Sequence, residues 1–159
     1  MSFTDEDMRK IFDPTTYSRF ATEPNYRYIP FIMAFSGLRA EEAASLLTAN
    51  IATDGMPFFR IDGKRKVPNR DVPIHSKIIE SSFMEYLDER REKAISPFLF
   101  PELAQQRNGM SRPVSRRFKR YLEDIGLSKD ENIDSIRQAA LEKLKEKGEI
   151  ISYQFDIEI

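Results

Sequence analysis

The stretch Phe35–Leu47, FSGLRAEEAASLL, decides how this chain is read. An apolar helix, Asn25 to Phe35 (NYRYIPFIMAF), runs into Gly37, a residue suited to a helix C-terminus. Two residues later Arg39 heads a second helix, predicted from about Arg39 to Leu47 with Ala43, Leu46 and Leu47 on one side. A helix N-terminus carries partial positive charge and favours acids, and Glu41 and Glu42 follow at once. An arginine at that place needs a reason.

The chain around it has 159 residues, which suits one domain of ordinary size. At that length roughly 68–70% of the unfolded surface is buried, enough for a core without disulfides or metal. Hydrophobic residues make up 40% and charged residues 32%, a globular rather than a disordered balance. Cysteine is absent, which excludes zinc ribbons, redox pairs and disulfide frameworks. No apolar run approaches the roughly 20 residues that span a bilayer, so no membrane partner is expected. MSFTDEDMRK also lacks the apolar core of a signal peptide, and a cytoplasmic location is the expectation. The net charge of −1 conceals two basic patches. Arg107 to Arg120 (RNGMSRPVSRRFKR) holds six basic residues and no acid, and Arg60 to Arg70 (RIDGKRKVPNR) holds five with one acid, Asp62. Such patches fit a polyanion-binding face on an otherwise acidic body, and they equally fit two solvated charged segments.

Thr4 opens a short helix with Asp5, Glu6 and Asp7 in its first turn. Pro30 is placed near the first turn of the apolar helix. After Leu47 the period changes. Pro57–Asp62 and Asp71–Ile74 are short β-forming runs joined by a turn-prone basic loop, GKRKVPN, and read as a hairpin. Pro73 assigns its strand to a sheet edge. Ser76 to Lys93 reads as one helix, with Ile79, Phe83 and Leu87 four residues apart. Ser111 to Ile125 is amphipathic, with Val114, Phe118, Tyr121, Leu122 and Ile125 inward and the arginines fanning outward. A last helix spans about Ile133 to Lys147, and the tail IISYQFDIEI reads as a strand or an unattached end. The fold class is α+β, mainly α-helical, with one small antiparallel hairpin or sheet. Residues 1–148 form the domain and 149–159 the tail.

Four segments in order carry a resemblance. FTDEDMRKIF, YIPFIMAFSGLRAEEAASLL, RIDGKRKVPNRDVPIH, and LFPEL followed by VSRRFKRYLEDIGL resemble the catalytic domain of the tyrosine recombinases, the phage-integrase family. In that family's first arginine box an apolar helix ends in a Thr/Ser-Gly-x-Arg turn, with a Glu three residues on; here these are Arg39 and Glu42. The resemblance implies double-stranded DNA as partner, self-association on DNA, no metal, no small-molecule cofactor, and a bacterial or phage source. It implies site-specific DNA breakage and rejoining through a 3′-phosphotyrosyl intermediate. It also answers the question about Arg39, because two arginines of the family grip the scissile phosphate. A planar guanidinium donates two parallel hydrogen bonds to the oxygens on which charge builds. A helix N-terminus beside Arg39 would add its dipole and free amides to the same anion site. Glu42 is expected to orient the Arg39 guanidinium. Lys64 stands for the family's hairpin lysine, the general acid toward the leaving 5′-oxygen. One residue of loop slippage would give that role to Arg65 or Lys66, and all three fit nonspecific phosphate contacts as well. Arg65, Lys66, Arg112, Arg116, Arg117, Lys119 and Arg120 make up the expected DNA-binding set.

The second box departs from the family's His-x-x-Arg-His. Its counterpart is Asp134-Ser-Ile-Arg137-Gln138, where Arg137 fits the second clamp arginine and both histidines are replaced. A carboxylate at 134 cannot act as an imidazolium; it repels a phosphate or pairs with Arg39 or Arg137. The one histidine, His75, follows the Val-Pro strand and reads as structural or exposed. The 22 residues after Arg137 hold one tyrosine, Tyr153, with no Gly-His before it, and it reads as an apolar-tail residue rather than a nucleophile. The expectation is a partial catalytic domain, without the family's N-terminal DNA-clamping domain and inactive alone. Two further readings stand beside it: a non-cleaving recombinase-derived DNA-binding module, which Asp134 and Gln138 favour, and a helical protein-interaction domain.

Overall fold

In the computed structural model, which describes residues 3–63, 68–93, 95–106, 109–127, 130–148, 153, 157 and 159, local sequence chemistry places each element. Helix α1 (Asp5–Ile11) starts where the Thr4 hydroxyl accepts from the Asp7 amide at 3.1 Å and the Asp7 carboxylate accepts from the Thr4 amide at 3.0 Å. Helix α2 (Pro14–Phe20) starts at Asp13, whose carboxylate accepts from the Thr15 amide. Helix α3 (Pro24–Ser36) begins earlier than the apolar run and carries Pro30 in its interior, not in its first turn. Proline has no N–H for the carbonyl four residues back, which would orphan the Tyr26 carbonyl. The Tyr17 hydroxyl fills the gap, donating to the Tyr26 carbonyl at 3.1 Å and the Arg27 carbonyl at 2.5 Å. Burial raises the Tyr17 phenol well above its ordinary pKa, so the donor stays protonated.

Helix α3 is the centre of the molecule. Ile29, Phe31, Ile32, Met33 and Ala34 have no exposed surface, and each large side chain so buried contributes about 1.5–3 kcal/mol. Helix α4 (Ala40–Ala44) stops short of Leu47, which instead bridges to Phe98. The run expected as one helix from Ser76 divides into α5 (Ser76–Ile79) and α6 (Phe83–Lys93). Ser81 explains the break: its hydroxyl donates to the Ile78 carbonyl at 2.7 Å and accepts from the Phe83 amide at 3.2 Å, competing with the helical ladder. His75 caps α5, its Nδ1 accepting from the Lys77 amide, with its ring 4.8 Å from that of Phe35. Helix α7 (Arg112–Asp124) buries Val114, Phe118, Tyr121 and Leu122, and α8 (Asp134–Lys147) packs along α3.

Three short antiparallel strands, β1 (Ile51–Ala52), β2 (Phe58–Ile61) and β3 (Arg70–Pro73), pair in that order among the described residues. β3 lies at the edge, where the missing N–H of Pro73 does no harm. Phe59 faces Val72 and Ile61 faces Arg70, so Arg70 shares the inner face with two buried side chains. Arg60 and Asp71 form a 3.0 Å ion pair on the outer face. Beyond residue 148, Tyr153 and Ile157 are buried. No helix of the described residues is long and apolar enough to cross a membrane.

Candidate functional site

The end of α3 is built by three consecutive residues. The Ser36 hydroxyl donates to the Ile32 carbonyl at 2.6 Å and accepts from the Leu38 amide at 3.1 Å. Gly37 takes the left-handed conformation, φ 74°, that ends many helices. A Cβ on Gly37 would stand 3.3 Å from Leu141 Cδ2, so α8 can press against this turn only because the side chain is absent. The Gly37 carbonyl accepts from Arg137 Nε at 3.0 Å. Arg39, two residues on, is exposed at the N-cap of α4. Burial lowers the Arg137 guanidinium's pKa, and the positive charge of Arg39 lowers it further. The bond to Gly37 uses one of the five N–H donors of Arg137.

Glu42 does something other than orient the Arg39 guanidinium. Its Oε1 accepts from the Arg39 backbone amide at 2.9 Å, as an acid at the third position of a helix is placed to do. Both oxygens then accept from Arg70, at 2.8 and 2.9 Å. Burial would raise the Glu42 carboxyl, but the Arg70 hydrogen bonds, the Arg39 amide and both positive charges hold it below the usual range. The same pair raises the Arg70 guanidinium. Arg70 was not singled out from the sequence. Its signal is the strand period, which places it with Val72, Phe59 and Ile61 rather than with the solvated Asp71.

Two of the amides expected to be free at the start of α4 are occupied. Glu42 takes the amide of Arg39, and Asp134 Oδ1 accepts from the amide of Ala40 at 3.3 Å. Asp134 thus bonds to α4 backbone rather than to the guanidinium of Arg39 or Arg137, while its charge reaches Arg137. Gln138 is exposed. Glu41 reaches the other way: its carboxylate accepts from the amides of Met110 and Ser111 and from the Ser111 hydroxyl, capping α7. Helix α4, five residues long, therefore joins β3, α7 and α8.

On α7, Arg112, Arg116, Lys119 and Arg120 are exposed. Arg116, Lys119 and Arg120 form one wall of a cleft of about 530 Å³ whose other wall is Asn132, Ile133 and Asp134. Arg117 departs from the expected outward fan. Its Nε donates to the Phe20 carbonyl at 2.9 Å, and its Nη2 donates to the Arg19 carbonyl and the Thr22 hydroxyl. The guanidinium lies 4.6 Å from the Tyr26 ring centroid. It closes the C-terminus of α2, and the sequence signal was its position three residues after buried Val114 and four before buried Tyr121. Lys64, Arg65 and Lys66 lie outside the described residues. Tyr153 is 4% exposed, and its hydroxyl donates to the Ala34 carbonyl at 2.6 Å. Burial raises its phenol well above the ordinary range. No group of three or more His, Cys, Asp or Glu among the described residues is placed to hold a metal ion.

A family model described as "Phage integrase family" matches residues 2–152. Among solved structures the chain is similar to XerH site-specific recombinase bound to difH substrate in a pre-cleavage complex. That match has a TM-score of 0.68 at 20% identity, covering 93% of this chain and 44% of that one. It is similar too to XerH bound to palindromic difH substrate in a post-cleavage complex, with a TM-score of 0.67, 21% identity, and 91% and 42% coverage. The chain therefore spans less than half the length of these recombinases. No curated protein matches it.

Proposed function

Since the chain belongs to the phage integrase family, we propose that it acts in site-specific DNA recombination by holding a phosphodiester of duplex DNA between Arg39 and Arg137. The observation that supports this reading most is the Gly37 turn, which bears Arg39 on one side and accepts the Arg137 Nε–H on the other. Negative charge that builds on the non-bridging oxygens during strand transfer would meet two preorganised guanidinium groups. The exposed cations Arg112, Arg116, Lys119 and Arg120 on α7 would track flanking phosphates, giving affinity without a base code. Lys64, Arg65 or Lys66 would supply the hairpin cation. The likeness to structures of XerH bound to difH substrate is consistent with this use of the fold.

A second reading, a recombinase-derived module that binds DNA without cutting it, draws support from two observations. Asp134 brings a carboxylate to the site where the family places a histidine, and the Tyr153 hydroxyl is held inside the protein by the Ala34 carbonyl. Incubation with a nicked duplex that traps phosphotyrosyl adducts separates the two. A covalent adduct lost in a Tyr153→Phe variant supports cleavage by this chain; salt-sensitive binding without an adduct supports the module. Arg39→Ala binding duplex DNA as tightly as the unmodified chain would refute both.

A further inference from the structure

We propose that Arg70 is the counter-ion that keeps the Arg39–Arg137 site receptive to an anion: a positioning residue that acts by neutralising Glu42. The inference rests on the phosphodiester reading of that site. Glu42 cannot swing away to relieve a bound anion, because the Arg39 amide holds one of its oxygens and its side chain is only 20% exposed. Its carboxylate sits at the Arg39 amide, and its charge is felt at Arg137. Asp134 adds a second carboxylate at the Ala40 amide. Arg39 and Arg137 against Glu42 and Asp134 sum to zero, and a neutral site has little hold on a phosphate. Arg70 brings the sum to +1.

The geometry suits that task. Arg70 meets Glu42 through two nearly equal bonds, 2.8 and 2.9 Å, a planar fork that sets its positive charge directly against the carboxylate. The strand register delivers it, since Arg70 opposes buried Ile61 on the inner face while its neighbour Asp71 pairs outward with Arg60. Two rival accounts use the same contact. Arg70 could serve only to fasten the β2–β3 hairpin to α4, or its remaining donors could touch the phosphate directly.

Charge arithmetic distinguishes them. The sum is +1 for the unmodified chain, 0 for Arg70→Ala, +2 for Glu42→Gln, and +1 again for the double variant. Binding of a fluorescein-labelled mixed-sequence duplex, followed by anisotropy at several salt concentrations, should follow the sum: Glu42→Gln tightest, the unmodified chain and the double variant alike, Arg70→Ala weakest. Arg70→Ala should weaken binding about five- to tenfold, the size of one unscreened charge several Å away. Glu42→Gln should tighten binding, and the double variant should return to within about twofold of the unmodified chain. A fastening role predicts that Glu42→Gln and the double variant fall as far as Arg70→Ala, and that result overturns the proposal. Direct phosphate contact predicts a double variant that stays weak, with a salt slope shallower by about 0.9, and that overturns it too. If Arg70→Ala does not fold, Arg70→Lys keeps the charge and should bind within about twofold of the unmodified chain; a loss as large as that of Arg39→Ala overturns the proposal. Undiminished binding by Arg39→Ala refutes the phosphate site itself. Weak binding by Arg39→Ala beside normal binding by Arg70→Ala refutes the Arg70 inference alone.

Discussion

Replacing Gly37 by alanine tests how the turn positions both arginines. An alanine at φ 74° sits in the left-handed region, at a cost of about 1–2 kcal/mol. Lower chain entropy in the unfolded state returns about 0.4–1 kcal/mol of this. The new Cβ would meet Leu141 Cδ2 at 3.3 Å and Leu144 Cδ1 at 3.7 Å. Overfilling that contact adds about 1–3 kcal/mol as α8 shifts outward. The sum is about 1–4.5 kcal/mol, a fall in Tm of roughly 3–14 °C for a domain of this size. Gly55→Ala supplies the control, since its φ is 73° but nothing lies within 4 Å of the added Cβ. It should lose about 1.5 kcal/mol or less, because only the backbone term applies. Urea unfolding with unchanged m-values measures both. Equal losses within about 0.5 kcal/mol would refute the argument that α8 packs against the Gly37 turn.

Asp134→Asn removes a negative charge beside Arg137 and should tighten duplex binding several-fold in anisotropy titrations at low salt; unchanged affinity would mean that this carboxylate does not oppose DNA. Arg117→Ala strips three hydrogen bonds and an aromatic contact from the end of α2 and should destabilise the chain by about 2–3 kcal/mol with DNA affinity intact. Arg116→Ala should do the reverse, with stability within about 0.5 kcal/mol and binding weakened. The Glu42 carboxyl is held below its unfolded value, near 4.3, so it stabilises the fold above that pH and the contribution disappears as pH falls through the folded pKa. Urea midpoints of the unmodified chain should therefore fall more steeply than those of Glu42→Gln below about pH 4; parallel curves would contradict the pairing.

What was legible in the sequence was periodicity and punctuation. The apolar run through Phe35, the Gly37 stop and the stripe Val114, Phe118, Tyr121 predict helices that the structure contains, within a mainly helical fold with a small antiparallel sheet. What was not legible depended on partners distant in the chain. Pro30 sits mid-helix because Tyr17, from another helix, answers the orphaned carbonyl. The two-residue strand β1 is too short to show a period and exists through its pairing with β2. The break before Phe83 follows from Ser81 bonding locally, which an apolar spacing of four cannot reveal. At the site, sequence reading placed Glu42 beside Arg39 but assigned it the guanidinium instead of the amide. It passed over Arg70, whose importance arises only when strand pairing turns it toward α4. Arg117 shows the opposite case, since helical spacing already put it next to the buried face.

The most direct test is the salt dependence of duplex binding for Arg39→Ala, Arg137→Ala and the double variant. If both arginines grip one phosphodiester, the double variant should lower the slope of log K against log salt by about 0.9 in total. Its loss of affinity should also be clearly smaller than the sum of the single losses. A slope lower by about 1.8, with losses that add, would place the two guanidinium groups on separate phosphates and contradict the account.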